Sequence, residues 1–280
     1  MEVCTSNNEL ALFLKEYKGI KKGFVPTMGA LHEGHLSLIK LAVEHSDVVI
    51  SSVFVNPAQF NDAKDLANYP RMPEKDAAML GNAGCNCLYL PPVSEVYPSD
   101  YVPLKMDFGK MEQVMEGQYR PGHFKGVAAV VHRLFSLVQP DEAFFGEKDF
   151  QQLAIIKAMS AKMHPEINIT GCATIREKDG LAMSSRNLLL THDQRKEAPV
   201  IYKTLGLAEQ WLKSEKVETV MQMVEDYIHK NSHFTVQYFE IVHPLTLQRV
   251  TENTRVQGMR GCIAVLTGGP RLIDNMEFSV

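Results

Sequence analysis

The chain has 280 residues, enough for two domains. Its 45% hydrophobic and 22% charged residues are those of an ordinary globular protein, which excludes disordered and fibrous classes. A formal net charge of -4 removes the electrostatic reason to expect a nucleic-acid partner.

The first ten residues lack the basic stretch and apolar core of a signal peptide, and no apolar run reaches the length of a membrane span. Five scattered cysteines, Cys4, Cys85, Cys87, Cys172 and Cys262, read as free thiols of a reducing cytoplasm. A zinc site at Cys85 and Cys87 lacks a second ligand pair at matching spacing.

In chain order, Gly23 to Pro26 predicts a first strand, Leu36 to His45 a helix, and the β-branched run Asp47 to Val55 a strand buried on both faces. A helix over Asp76 to Ala83 and a strand over Cys87 to Leu90 follow. Further on come a helix over Gly126 to Val138, a strand over Glu142 to Gly146, a helix over Phe150 to Met163 and a strand over Ile167 to Cys172. This alternation predicts an α/β fold: a Rossmann-like, doubly wound parallel sheet with its ligand beyond the strand carboxyl ends. After about residue 175 the texture changes to helices over Gln194 to Lys213 and Val217 to Lys230, then extended segments over Thr235 to Val242 and Gly261 to Leu266. The expected division is therefore 1–175 for the Rossmann-like domain and 176–280 for a smaller α+β lid.

The most informative stretch is Pro26-Thr27-Met28-Gly29-Ala30-Leu31-His32-Glu33-Gly34-His35. A strand, a Gly-containing turn and a helix start place imidazoles and free backbone N–H groups at a positive helix end, which suits an anion such as a nucleotide phosphate. The spacing excludes a zincin metal site, whose histidines sit four apart; here they are three apart, near enough to share one phosphate. Gly34 lets a nucleotide approach the backbone.

Other clusters carry chemistry beside blander readings. Gly146-Glu147-Lys148-Asp149 ends a strand, where Lys148 would neutralise a phosphate, or the segment is a solvated turn. Met183-Ser184-Ser185-Arg186 offers hydroxyl and guanidinium donors for a triphosphate, or caps a helix. Asn56, Gln59 and Gln152 are neutral amides suited to a small hydroxy acid, or stabilise loops. Arg120 and His123 lie in a Gly-punctuated loop that either orders over a ligand or caps the next helix.

The strings PTMGALHEGH, FVNPAQF, RPGHFKGV, FGEKDFQQL and DGLAMSSRN, in this order and spacing, resemble the pantothenate synthetases, members of the nucleotidyltransferase superfamily with the HxGH motif. The resemblance implies ATP-dependent condensation of pantoate with β-alanine through a pantoyl adenylate, giving pantothenate, AMP and pyrophosphate, the precursor step to coenzyme A. It implies catalytic roles for His35, with His32 beside it, and for Lys148 and Arg186. It implies nucleotide contacts from Met28, Gly29, His32, Gly34, His35, Gly146, Glu147, Lys148, Asp149, Ile175, Met183, Ser184, Ser185 and Arg186. The acid substrate falls to Gln59 and Gln152, with Asn56, Arg120 and His123 as further contacts. The resemblance also implies Mg²⁺, with Asp76 as an outer contact, and a cytoplasmic homodimer with no nucleic-acid or membrane partner. Met28–His35 and Ser184–Arg186 become two halves of an ATP clamp. Rival readings are a cytidylyltransferase-like enzyme, which has no need of the paired glutamines, and a nucleotide-binding regulator without turnover.

Overall fold

In the computed structural model, residues 1–60 and 63–279 are described. They divide into two compact units. The first comprises Met1–Phe108, Arg120–Glu147 and Gln152–Ala173; the second comprises Gly109–Tyr119, Lys148–Gln151 and Thr174–Val280. A single cut at residue 175 assigns Gly109–Tyr119 and Lys148–Gln151 to the first domain, whereas here they pack with the second unit.

The first unit is built on a six-stranded parallel sheet. Its strands are β1 (Glu2–Cys4), β2 (Lys22–Thr27), β3 (Val48–Val53), β4 (Cys87–Tyr89), β5 (Glu142–Gly146) and β6 (Asn168–Cys172). Their order is β1-β4-β3-β2-β5-β6. The order reverses between β2 and β5, so the carboxyl ends of those two strands flank the switch point where doubly wound sheets bind ligands. All six residues of β3 are buried, as a central strand covered on both faces requires. On one face Val25, Val49, Val53 and Phe144 pack with Leu38, Ile39 and Ala42 of the helix Glu33–His45. On the other, Phe24 meets Phe135 of the helix His123–Val138 edge to face at 6.3 Å.

At the amino terminus of this unit two elements escaped the hydrophobic pattern. β1 is three residues long, and the helix Asn7–Glu16 buries only Leu10 and Phe13. The helix did carry a readable start signal. Ser6 and Glu9 form a reciprocal capping box, the S-x-x-E arrangement that satisfies free N–H groups at a helix end.

At the amino end of the sheet, Glu142 is buried and accepts bonds from Thr170 Oγ1 at 2.6 Å, from Lys21 Nζ at 3.1 Å and at 3.1 Å from His45 Nδ1. Burial pushes its carboxyl up, but these partners outweigh burial and hold it below the ordinary value. A carboxyl so depressed stabilises the fold above its unfolded pKa of about 4.3, and that stabilisation is lost as pH falls through the folded value. Glu142→Gln is therefore expected to lose about 1–3 kcal/mol at pH 7. The gap from the parent chain should close below about pH 4 in urea unfolding series; a pH-independent gap contradicts the network.

The second unit holds an antiparallel sheet of β7 (Thr235–Val242), β8 (Arg260–Leu266) and β9 (Arg271–Glu277). The helices Val200–Trp211 and Val217–Asn231 contribute Ile201, Leu205, Val220, Val224 and Ile228 to a core with Phe239, Ile263 and Leu272. The single helix expected over Gln194 to Lys213 is instead two, His192–Glu197 and Val200–Trp211. Pro199 stands at the break, where its missing N–H cannot continue the helical ladder. β9 was not foreseen, because its interior carries Asp274 and Asn275 where a half-buried strand is expected to alternate apolar residues.

Candidate active site

At the carboxyl end of β2, Thr27 Oγ1 donates to the Ser52 carbonyl at 2.8 Å and accepts the Gly29 N–H at 3.2 Å, turning the chain out of the sheet. Gly29 and Ala30 follow with φ of +81° and +51°. The left-handed region suits Gly29 but is costly for alanine, so something must hold Ala30 there. Asp76 does so. It is 1% exposed, in the first turn of the helix Pro73–Asn82, and its carboxylate accepts the Ala30 N–H at 2.9 Å and the Leu31 N–H at 2.8 Å. A Cβ on Gly29 would stand 2.9 Å from Asp76 Oδ2 and 3.0 Å from Val53 Cγ1, so glycine is required twice over. Asp76, expected as an outer contact of a magnesium ion, has both carboxylate oxygens on backbone donors of this loop.

The loop delivers the chain to the helix Glu33–His45, which starts three residues before the expected Leu36 because His32 caps it. His32 Nδ1 accepts the Gly34 N–H at 3.1 Å, and His35 Nδ1 accepts the His32 N–H at 3.4 Å. Imidazoles replace the usual hydroxyl and carboxylate of a capping pair. An Nδ1 that accepts cannot carry the proton, so this geometry assigns an Nε2–H donor to each ring. The rings lie side by side with centroids 4.1 Å apart, at the positive end of a 13-residue helix. Met28, Gly34 and both histidines are thus gathered at one turn.

The amides form a connected chain in the same unit. Asn56 caps the short turn Pro57–Gln59 and accepts from Ala58 N–H at 3.2 Å and Tyr97 O–H at 2.9 Å. Its Nδ2 donates to the Gly126 carbonyl at 3.1 Å and to Gln59 Oε1 at 3.3 Å, and Gln59 Nε2 reaches Met28 Sδ at 2.7 Å. With its oxygen held by Asn56, Gln59 directs its N–H donors towards Met28. A Cβ at Gly126 would meet the Ala58 carbonyl at 2.3 Å, which shows how closely this helix presses on the turn. Arg120 and His123, expected at the substrate, are seen supporting Gln59. His123 Nδ1 donates to the Gln59 carbonyl at 2.9 Å, and Arg120 Nη1 lies 3.1 Å from His123 Nε2. Tyr97 was missed by sequence reasoning, since a lone tyrosine in an unpatterned stretch gives no signal.

β5 ends at Gly146 and runs into the turn Glu147–Asp149. Gln152 is half-buried. Its neighbour Gln151 is buried and structural: its Oε1 accepts the Glu116 N–H at 3.0 Å, and its Nε2 donates to the Met111 and Val114 carbonyls at 2.8 Å each.

Within the second unit, Lys148 Nζ lies 3.8 Å from Asp149. Ile175 to Met183 forms a hairpin. Arg176 bridges Ala182, Met183 N–H donates to Ile175 at 3.0 Å, and Gly180 turns the chain at φ +93°. Ser184 then caps the turn Ser185–Leu189, accepting the Arg186 N–H at 3.3 Å, while Asn187 Nδ2 holds the Ala182 carbonyl at 3.1 Å. Ser184, Ser185 and Arg186 thus follow a braced hairpin.

All five cysteines are buried and free, and burial raises the thiols. Cys4 and Cys87 Sγ stand 3.6 Å apart between paired strands. Among the described residues no group of three or more His, Cys, Asp or Glu side chains gathers as a metal site, and no helix is long and apolar enough to cross a membrane.

A parallel sheet with its order reversed beside a histidine-capped helix start defines a Rossmann-like α/β protein. Known proteins narrow that class. The sequence model of the family described as Pantoate-beta-alanine ligase matches residues 2–277. A pantothenate synthetase of Porphyromonas gingivalis is 46% identical over 280 residues, covering 99% of each chain. One of Bacteroides thetaiotaomicron is 46% identical over 261 residues, covering 93% of this chain and 92% of its own. A crystal structure of pantothenate synthetase from Thermus thermophilus superimposes with a TM-score of 0.91 at 40% identity, covering 99% of each chain. The Francisella tularensis pantoate-beta-alanine ligase, solved with β-γ ATP and β-alanine, gives 0.80 at 31% identity, covering 99% of this chain and 97% of its own. The chain belongs to the pantoate–β-alanine ligase family and is an enzyme of that family.

Proposed function

We propose that this enzyme joins pantoate to β-alanine with ATP through a pantoyl adenylate, releasing pyrophosphate and then AMP, and that it works as a cytoplasmic homodimer. The observation that carries the reading is the paired Nε2–H donors of His32 and His35 at a helix N-terminus. In the first step the pantoate carboxylate attacks the α-phosphorus in line. It is ionised at neutral pH and needs no general base, so the work is alignment and neutralisation of developing charge. His35, with His32 beside it, donates to the α-phosphate oxygens, and Lys148 neutralises the transferring phosphates. Ser184, Ser185 and Arg186 hold the departing pyrophosphate. Met28, Gly29, Gly34, Gly146, Glu147, Asp149, Ile175 and Met183 complete the nucleotide contacts.

Gln59 and Gln152 bind the pantoate, with Asn56, Arg120 and His123 setting Gln59 in place. In the second step the β-alanine amine attacks the acyl carbonyl and AMP leaves. Mg²⁺ would enter with the nucleotide, held by phosphate oxygens and water, and would supply charge neutralisation there. Asp76 fits only an outer role, because its carboxylate already accepts two backbone bonds.

The test is exchange of labelled pyrophosphate into ATP. It should require pantoate, and AMP should appear only once β-alanine is added; exchange without pantoate overturns the reading. Gln59→Ala should raise the pantoate KM at least tenfold, about 1.4 kcal/mol, with the ATP KM within twofold. An unchanged pantoate KM removes Gln59 from the substrate site.

A further inference from the structure

Asp274 and Asn275 are neighbours in the middle of β9, and they are 4% and 5% exposed. Adjacent strand residues point to opposite faces. Each side chain here holds a different segment of the second unit.

The Asp274 carboxylate forms a fork with Arg176, Oδ2 to Nη1 at 2.6 Å and Oδ1 to Nη2 at 3.0 Å. Arg176 opens the hairpin that leads to Ser184–Arg186. The same guanidinium donates across the hairpin to the Gly180 carbonyl at 3.1 Å and to the Asn275 carbonyl at 3.2 Å, and it lies 3.8 Å over the Tyr202 ring. Five contacts from one planar group leave the hairpin a single orientation on the sheet.

Asn275 acts on the other segment. Its Oδ1 accepts from Arg260 Nη1 at 2.9 Å, which fixes the amide so that Nδ2 donates to the Lys148 carbonyl at 2.8 Å. Arg260 also lies 4.3 Å over the ring of Phe150, two residues beyond Lys148. Lys148 and the hairpin are 27 or more residues apart in sequence, yet one dipeptide sets both. A buried ion pair is a poor device for stability alone, since apolar packing of equal volume commonly serves as well; its use lies in fixing geometry.

We propose that Asp274 and Asn275 are positioning residues for the ATP phosphates, Asp274 setting the Met183–Arg186 segment through Arg176 and Asn275 setting Lys148 through its carbonyl. This rests on the reading that Lys148 and Ser184–Arg186 hold those phosphates. Neither residue touches the nucleotide. They act by fixing where the donors stand.

The experiment compares Asp274→Asn, Asn275→Ser and Arg271→Met in the full-length chain. Arg271 is on the same strand and pairs with Glu116 of Gly109–Tyr119, and it bonds neither Lys148 nor the Arg176 hairpin itself. Affinity is measured for adenosine and for an ATP analogue with a methylene bridge between the α and β phosphorus atoms, alongside thermal unfolding. Asp274→Asn and Asn275→Ser should weaken the analogue about tenfold and adenosine less than twofold. Arg271→Met should lower the melting temperature comparably and leave both affinities unchanged. The proposal is overturned when analogue affinity is retained in both β9 variants, or falls equally in Arg271→Met. Should Asp274→Asn not fold, Asn275→Ser decides alone. Lys148→Ala and Arg186→Ala separate the two readings. When they weaken the analogue and the β9 variants do not, only the positioning role fails; when they too leave it unchanged, both readings fail.

Discussion

Replacing His35 with alanine is expected to slow pantoate-dependent pyrophosphate exchange by about 10²–10³-fold, the usual cost of one preorganised transition-state donor. His35 receives the His32 N–H on Nδ1, so its Nε2–H is fixed in direction before the reaction begins. A donor that needs no reorientation acts on the transition state more than on bound ATP. The loss should therefore appear in kcat, with the ATP KM changing less than about fivefold. His35→Gln keeps an N–H donor at similar reach and should recover part of the rate. Normal exchange in the alanine variant would refute the role of His35. A loss confined to KM would make the residue a ground-state contact.

Asp76→Ala is the second large effect expected. It strands the buried N–H groups of Ala30 and Leu31, each costing about 1–3 kcal/mol, and releases a residue held at positive φ. The loop that delivers Met28 and His32 would relax, so we expect exchange to fall more than about 10²-fold together with a lower melting temperature. Magnesium titration separates this account from a metal contact. Raising Mg²⁺ should not restore Asp76→Asn, because the defect is in the loop. Restoration by excess Mg²⁺ would show that Asp76 serves the metal.

Much of the first unit could be read from local pattern. The continuous β-branched run that became β3 has one physical solution, a strand covered on both faces. The turn after β2 was equally legible, because glycine there answers to short-range geometry. The sequence pattern did not place the helix start at Glu33, since histidine is an unusual cap and its role depends on where Nδ1 points. Gln194 to Lys213 misled because apolar periodicity continues through Pro199, which breaks the backbone ladder without breaking the pattern.

Order and spacing of short motifs by themselves determined the Rossmann-like class and the family, because turns, caps and strand runs are local properties of a few adjacent residues. Only tertiary structure decided how those motifs are held. Asp76 braces a loop 45 residues away, Tyr97 and His123 set Asn56 and Gln59, and Asp274 and Asn275 gather Lys148 and the Arg176 hairpin. Each of these is one polar side chain meeting a distant backbone or side-chain group. Such a contact leaves no periodicity along the chain, and it exists only once the strands and helices have packed.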